Sequence, residues 1–155
     1  METKDNIGIK GTYEFKIIGI DGLVRNSWKV DNLVTNAGFA QLALLAGDAS
    51  ATPFTYLAVG TSTTTAAASQ TALVAEIVDS GLSRAVGTVS RITTTVANDT
   101  LQILYTWSVT GTNTIQEVGV FNAASAGTML SRALTGSNEF VNGDQFIITY
   151  KLKFS

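Results

Sequence analysis

Glu76 and Glu117 are the residues whose sequence surroundings best suit acid–base chemistry. Glu117 lies in the middle of an apolar, strand-like segment and Glu76 lies in an Ala-rich stretch, so both carboxylates are expected to be partly buried. A buried carboxylate can act as a general acid or base, or it can pair with an arginine and brace a sheet. Because no spacing places two carboxylates on one face, we predict structural ion pairs, with Arg84, Arg91 or Arg132 as partners.

The composition removes most other catalytic and metal-binding chemistry. The 155 residues include no His and no Cys, which excludes the commonest general base, thiol nucleophiles, disulfides and imidazole or thiolate metal sites. The chain also lacks a Ser-x-x-Lys box, a Gly-x-Ser-x-Gly elbow and a phosphate-binding glycine loop. We therefore expect no catalysis, no cofactor and no metal. The Asn98-Asp99 and Asn142-Gly143-Asp144 turns leave open a calcium site shared between subunits.

The surface is expected to carry few charges. Only 14% of the residues are charged and the formal net charge is −2, whereas an average soluble domain has about 25% charged residues. A near-neutral chain argues against a nucleic-acid binder, which needs clustered Lys and Arg. Residues 32–75 contain one charge, Asp48, but their longest apolar run, residues 37–46, is about half a membrane crossing. The polar start of the chain does not resemble a signal peptide, so we expect synthesis in the cytoplasm and no membrane partner.

Aromatic side chains provide an alternative function, the binding of glycans. An exposed aromatic ring can stack on a sugar. In this chain, however, the Trp and Tyr residues alternate with other apolar residues, so packing in a core or an interface is the favoured interpretation. The residues concerned are Tyr13, Trp28, Tyr56, Tyr105, Trp107 and Tyr150.

A hairpin is predicted near the start of the chain. Tyr13, Phe15 and Ile17 alternate with polar residues, and a second strand-like segment, residues 23–30, follows. The Asp21-Gly22 link between them favours a type I′ turn, in which both central residues have positive φ.

One helix is predicted, over about residues 36–46. Thr35 or Asn36 can cap its N-terminus, and Phe39, Leu42 and Leu45 recur at helical spacing as a buried stripe. Gly47 supplies a left-handed stop.

Short strands with regular turns predict the rest of the fold. The predicted strands are residues 55–60, 84–97, 101–109, 115–121, 129–134 and a last one after Asn142-Gly143-Asp144. Residues 61–70 read as an extended loop, and residues 71–78 as a helical turn or a strand. The fold class is therefore mainly β, an antiparallel sandwich or barrel of about seven to eight strands. We expect one β-rich domain, residues 11–155, preceded by an extended N-terminal arm, residues 1–10.

Several segments resemble a known group of proteins. They are residues 28–38 (WKVDNLVTNAG), 56–61 (YLAVGT), 71–76 (TALVAE), 115–122 (IQEVGVFN) and 127–133 (GTMLSRA). Together they are similar to small virion structural proteins of tailed bacteriophages, a group that includes capsid decoration (cement) proteins and some tail-tip and fibre components. The resemblance extends from about Gly11 to the C-terminus. It implies a β-rich domain that assembles, commonly as trimers, with extended arms, and it implies no catalytic residues.

The resemblance and the composition together predict an assembly protein. A surface rich in Thr, Ala and Ser can be desolvated at low cost when protomers pack. We expect a homotrimer that decorates the capsid surface and binds the major capsid protein or neighbouring virion proteins. The alternatives are a tail-tip, collar or fibre protein and a glycan-binding adhesion module. Candidate contact residues are Ile7 and Ile9 in the arm and Thr63, Thr64 and Thr65 in the loop.

Overall fold

Alternation of apolar and polar residues produces ten strands in the part of the chain that the structure, a computed structural model, describes, residues 8–155. One helix interrupts them. The elements are β1 (Ile9–Ile18), β2 (Val24–Asp31), β3 (Leu33–Val34), α1 (Asn36–Gly47), β4 (Tyr56–Gly60), β5 (Ala85–Val86), β6 (Thr88–Ile92), β7 (Thr100–Ser108), β8 (Asn113–Phe121), β9 (Met129–Phe140) and β10 (Gln145–Phe154).

The strands form two antiparallel sheets of five strands each. Sheet A has the order β2-β1-β10-β7-β6 and sheet B the order β3-β9-β8-β4-β5. This arrangement confirms the mainly β prediction and selects the sandwich. The strand count exceeds the predicted seven to eight partly because β3 and β5 have only two residues each, too few for alternation to be recognised.

The inner faces of the two sheets share one core. Large aromatic residues of sheet A, among them Phe15, Trp107 and Phe146, pack in it against branched side chains of sheet B such as Val118 and Val120. The Phe15 and Phe146 rings stack with centroids 5.8 Å apart. Burial of such rings supplies the main driving force for packing the sheets.

The predicted β1–β2 hairpin is confirmed, but its turn is not of type I′. Only Gly22 of the Asp21-Gly22 pair has a positive φ, of 80°. The Gly22 amide donates to the Gly19 carbonyl at 2.9 Å, and the strand register shifts between Ile17 and Ile18. The link is longer than two residues and ends in a left-handed glycine beside a bulge, so the Asp-Gly signature located the turn without fixing its type.

Helix α1 starts where predicted and ends differently. The Thr35 hydroxyl accepts the Gly38 amide at 2.9 Å, which confirms the cap. Gly47 is a residue of the helix and has no positive φ, so the predicted left-handed stop is wrong; Asp48, with a φ of −121°, ends the helix in extended backbone. The Asp48 amide still bonds the Leu44 carbonyl, so no left-handed residue is required.

The predicted buried stripe of α1 is only partly correct. Leu42 and Leu45 pack against the core, but Phe39 is 51% exposed. The residue in closest contact is Gly38, where a Cβ would collide with the Leu130 backbone. Because the helix approaches β9 through a glycine, its larger apolar side chains are left at the periphery.

Residues 61–84, which we call the strap, cross sheet B with little regular structure. Residues 61–70 contain no helix or strand, as predicted. Residues 71–78 form neither a helical turn nor a continuous strand, since their regular pairing is one bridge between Gly60 and Glu76. The strand predicted over residues 84–97 is divided into β5 and β6 and ends at Ile92, because the Asp99 carboxylate accepts three backbone amides of residues 94–96.

The predicted arm falls largely outside the described residues. Strand β1 already contains Ile9 and Lys10, which pair with Phe154 and Lys153 of β10. Ile7 lies outside the described residues. Within residues 8–155, no helix is long and apolar enough to span a membrane.

A buried polar cluster links the two sheets. The Tyr13 hydroxyl lies 2.8 Å from the Ser131 hydroxyl, and the Asn32 side chain donates to the Tyr150 hydroxyl at 3.1 Å. Both tyrosines are fully buried. Desolvation raises the pKa of Tyr13 and of Tyr150 well above the ordinary value.

We predict that the protein loses stability in alkali. Tyrosines of the unfolded chain ionise near pH 10, whereas Tyr13 and Tyr150 stay protonated in the folded state because their pKa is raised. Above about pH 10 the unfolded state therefore releases protons that the folded state keeps, and the free energy of unfolding falls as the pH rises. Urea unfolding between pH 8 and pH 11.5 measures this slope. Tyr13→Phe should make the slope shallower, and an unchanged slope in this variant would contradict the assignment to the cluster.

Candidate functional site

Glu117 and Arg132 form an ion pair on the outer face of sheet B, beneath the strap. Glu117 of β8 pairs in register with Leu134 of β9, and Arg132 of β9 pairs with Gly119 of β8. The two charged residues are therefore diagonal neighbours on one face of the sheet. The Arg132 Nε donates to Glu117 Oε2 at 2.8 Å, and Nη2 lies 2.7 Å from the same oxygen. Both side chains are completely buried. A charge pair without access to water needs further hydrogen bonds to offset its lost hydration.

The strap supplies hydrogen-bond partners to both Glu117 oxygens and to Arg132 Nη1, whereas the buried Arg132 Nη2 has its ion-pair contact with Glu117 and no hydrogen bond. Glu117 Oε1 accepts the Ala75 amide at 2.7 Å, and Oε2 accepts the Val74 amide at 3.2 Å. On the other side, Arg132 Nη1 donates to Gln70 Oε1 at 3.2 Å. The ion pair therefore holds the middle of the strap against the sheet through charge-assisted hydrogen bonds, which are stronger than neutral ones.

Glu76 and Arg84 form a second pair near the end of the strap. The guanidinium binds the carboxylate through two parallel hydrogen bonds, Nε to Oε1 at 2.9 Å and Nη2 to Oε2 at 2.6 Å. Arg84 Nη1 also donates to the carbonyls of Ala123 and Ala126 in the β8–β9 turn, and the guanidinium lies 3.7 Å from the centroid of the Phe121 ring. This arginine joins the strap to the β8–β9 turn.

The geometry of these carboxylates suits bracing and does not suit acid–base catalysis. Both oxygens of Glu117 accept hydrogen bonds and neither reaches solvent. Both oxygens of Glu76 are occupied by Arg84. Arg91, the third candidate partner, is an exposed residue of β6. Among residues 8–155, no group of three Asp or Glu side chains is arranged to hold a metal ion.

The aromatic residues considered for glycan binding are turned inward. Tyr13, Trp107 and Tyr150 are buried in the core, and Trp28 and Tyr105 are half-buried against it. Tyr56 packs against the smaller cluster of Ala58, Leu73, Phe121 and Met129 that lies on the strap side of sheet B. All six side chains are buried or half-buried, so the glycan-binding alternative gains no support from them.

Helix α1 and the first part of the strap form one surface, which we call the uncharged face. Its residues are 36–47 and 61–70, none of which is charged, and the Asn36 amide joins the two segments by donating to the Ala68 carbonyl at 2.8 Å. Within α1, Phe39 is 51% and Leu44 is 48% exposed, and Phe39 also borders a surface cavity that Lys10 and Asp31 line. The predicted contact residues Thr63, Thr64 and Thr65 are all exposed on the uncharged face, whereas Ile9 is half-buried against the core.

Sequence reasoning missed two features of this region. The first is Gln70, whose bond to Arg132 has no signature in the sequence because it depends on the path of the strap. The second is the exposure of Phe39 and Leu44. The sequence held one signal for this exposure. A surface helix normally carries charged residues on its outer side, and this 12-residue helix has none, so its water-facing side must expose apolar or neutral residues.

The comparisons with known proteins identify the family. The model of the family described as podophage GP4 fiber I protein gp80 matches residues 36–152. The chain belongs to this family. The match begins at α1 and includes the strap and both ion pairs, and it makes the chain a virion structural protein of a tailed phage. No curated protein and no solved structure matches the chain.

We predict that Glu117→Gln destabilises the protein strongly. The substitution leaves Arg132 buried without its counter-ion and turns an amide nitrogen toward N–H donors, so the free energy of unfolding should fall by about 3–5 kcal/mol. Chemical denaturation measures the loss, and hydrogen exchange at the Val74 and Ala75 amides should accelerate more than exchange in β10.

Glu14→Gln provides the matched control. Glu14 pairs with Lys151 at 2.8 Å on the exposed side of sheet A, where an ion pair contributes about 0–1 kcal/mol. If the two substitutions cost the same, the buried pair is not what holds the strap.

Proposed function

We infer that the protein is a non-enzymatic fibre subunit of the virion that associates with further copies of itself through the uncharged face. The observation that carries this proposal is the exposed, charge-free helix α1 beside the Thr-rich strap in a member of a fibre family. Exposed apolar side chains in one patch mark interaction sites. Burying such a face against another subunit leaves no charge without a partner.

Support for a fibre location comes from the family itself, which is described as a fibre protein. The predicted capsid decoration role stays a prediction, and the same uncharged face would serve it. We retain the trimer as the expected oligomer. The absence of catalysis is part of the proposal, and it is supported by the full engagement of Glu76 and Glu117 with arginines.

The arm remains part of the proposal as a link to a neighbouring subunit. A truncation that tests it should end at residue 7, because Ile9 belongs to β1 and packs on the core. Removing residues 1–10 would also remove sheet pairing, and a loss of binding would then have two causes.

The location in the particle tests the proposed function directly. We expect gold-labelled antibodies against the purified protein to mark the fibres in electron micrographs of intact phage. Particles that lack the gene should lose that label and the corresponding density. Labelling spread over the capsid shell would overturn the fibre proposal in favour of the decoration role.

Self-association through the uncharged face gives a second test. We predict that Phe39→Ser/Leu44→Ser shifts the protein toward the monomer, because it removes the two large apolar side chains that a neighbour would cover. Sedimentation velocity over a range of concentrations measures the oligomer, and the dissociation constant should rise at least tenfold, which corresponds to about 1.4 kcal/mol.

Leu23→Ser/Val24→Ser is the control for this pair. Leu23 and Val24 are exposed to 68% and 58% at the β1–β2 hairpin, away from the uncharged face. Their replacement should leave the oligomer unchanged. Equal effects of the two double variants would mean that association does not use α1.

A further inference from the structure

All five lysines of the described residues lie on one face of the molecule, the outer face of sheet A. Tyr13 and Tyr150 pair in register and point into the core, so residues an odd number of positions away on β1 and β10 lie on the outer face. Lys29 of β2 pairs with Glu14 of β1, so it lies on the outer face as well. The lysines are Lys10, Lys16, Lys29, Lys151 and Lys153.

This face, which we call the basic face, has an excess of positive charge in a chain of net charge −2. Its carboxylates are Glu14, which binds Lys151, and Asp31, which lies 3.5 Å from Lys10. Lys16, Lys29 and Lys153 have no ion-pair partner among residues 8–155. Lys10 and Lys153 lie directly opposite each other on β1 and β10, an arrangement that costs stability in isolation.

Only part of the basic face carries the lysines. The lysines occupy β2, β1 and β10, whereas the outward residues of β7 and β6 are uncharged. At the boundary, Ile147 of β10 and Leu104 of β7 are partly exposed side chains near the centre of the face. The basic face therefore offers a partner apolar contacts at this boundary and positive charges on one side of it.

We propose that the basic face docks an acidic surface of a different protein in the virion. The five strands have five to ten residues each; at about 3.3 Å per residue and about 4.8 Å between strands they cover roughly 670 Å², close to the ~800 Å² that each partner contributes to a standard interface. In a symmetric contact the lysines would meet the same face of a second copy. The carboxylates of that face, Glu14 and Asp31, already bind Lys151 and Lys10, so a second copy offers the lysines no acidic counterpart.

The side chains of sheet A argue against other anionic partners. Every aromatic residue of its five strands alternates onto the inner face, including the exposed Phe154. The basic face therefore has no ring on which a base or a sugar could stack, which is how single-stranded nucleic acids and glycans are usually held. Lysines beside the apolar side chains of Ile147 and Leu104 match an acidic protein surface that also carries apolar residues.

Peptide binding to the full-length protein tests the proposal. The probes are an 18-residue peptide of glutamates with leucine at every third position and the same peptide with serine in place of leucine. We expect the leucine peptide to bind more tightly, and we expect Lys16→Gln/Lys29→Gln/Lys153→Gln to weaken its binding about tenfold. Leu104→Ser should weaken the leucine peptide and leave the serine peptide unchanged.

A matched control separates the face from the overall charge. Thr112→Asp/Ser125→Asp/Ser137→Asp makes the same change in net charge at exposed positions outside the basic face and should bind the leucine peptide nearly as well as the unaltered protein. Equal loss in both triple variants would overturn the proposal. So would tighter binding of duplex DNA or a sulfated glycan than of the leucine peptide. Self-association that is lost in the lysine variant would assign the face to a second copy instead.

This inference is independent of the fibre assignment. The peptide experiment reports on the basic face alone, whereas labelling of particles and the Phe39→Ser/Leu44→Ser variant report on location and self-association. A negative result in the peptide experiment would therefore not contradict the proposed function, and the reverse also holds.

Discussion

The ion pair between Glu117 and Arg132 is the contact on which the outer side of sheet B depends. Two charges without access to water need further hydrogen bonds to offset their lost hydration. The Val74 and Ala75 amides and the Gln70 side chain supply these bonds, and Arg132 Nη2 keeps only its ion-pair contact with Glu117. The same pair therefore stabilises the interior and sets the course of a long segment that has almost no regular hydrogen bonding of its own.

The position of the strap in turn determines the exposed surface. Gln70 is held by Arg132, and two residues earlier the Ala68 carbonyl accepts the first amide of α1. The buried ion pair therefore also fixes the part of the strap that lies beside α1. This arrangement lets a surface made of methyl and hydroxyl groups keep one shape, although such small side chains form few directional contacts themselves.

The sequence allowed the sheets and their charged braces to be predicted, but not the details set by tertiary contacts. Alternation along β1, β7 and β10 was sufficient for a mainly β sandwich or barrel, and apolar neighbours were sufficient to select Glu76 and Glu117 as candidates for burial. The turn at Asp21-Gly22 and the end of α1 at Asp48 were wrongly predicted, because each depends on backbone bonds to residues that the local pattern does not specify. Phe39 was wrongly assigned to the core, since helical spacing cannot show that Gly38 makes the close approach to Leu130. The basic face could not be predicted from the sequence, because its recognition requires the pairing register of β1, β2 and β10.

The confinement of the described lysines to one side of the sandwich has a practical consequence for anyone who handles the protein. Amine-reactive dyes, cross-linkers and coupling resins will all attach to the outer side of sheet A, apart from reaction at Lys4 and the amino terminus. Molecules immobilised through these lysines will be tethered by the outer side of sheet A and will present the outer side of sheet B, with the strap, to the solution, so a measured affinity will depend on which side of the sandwich was tethered.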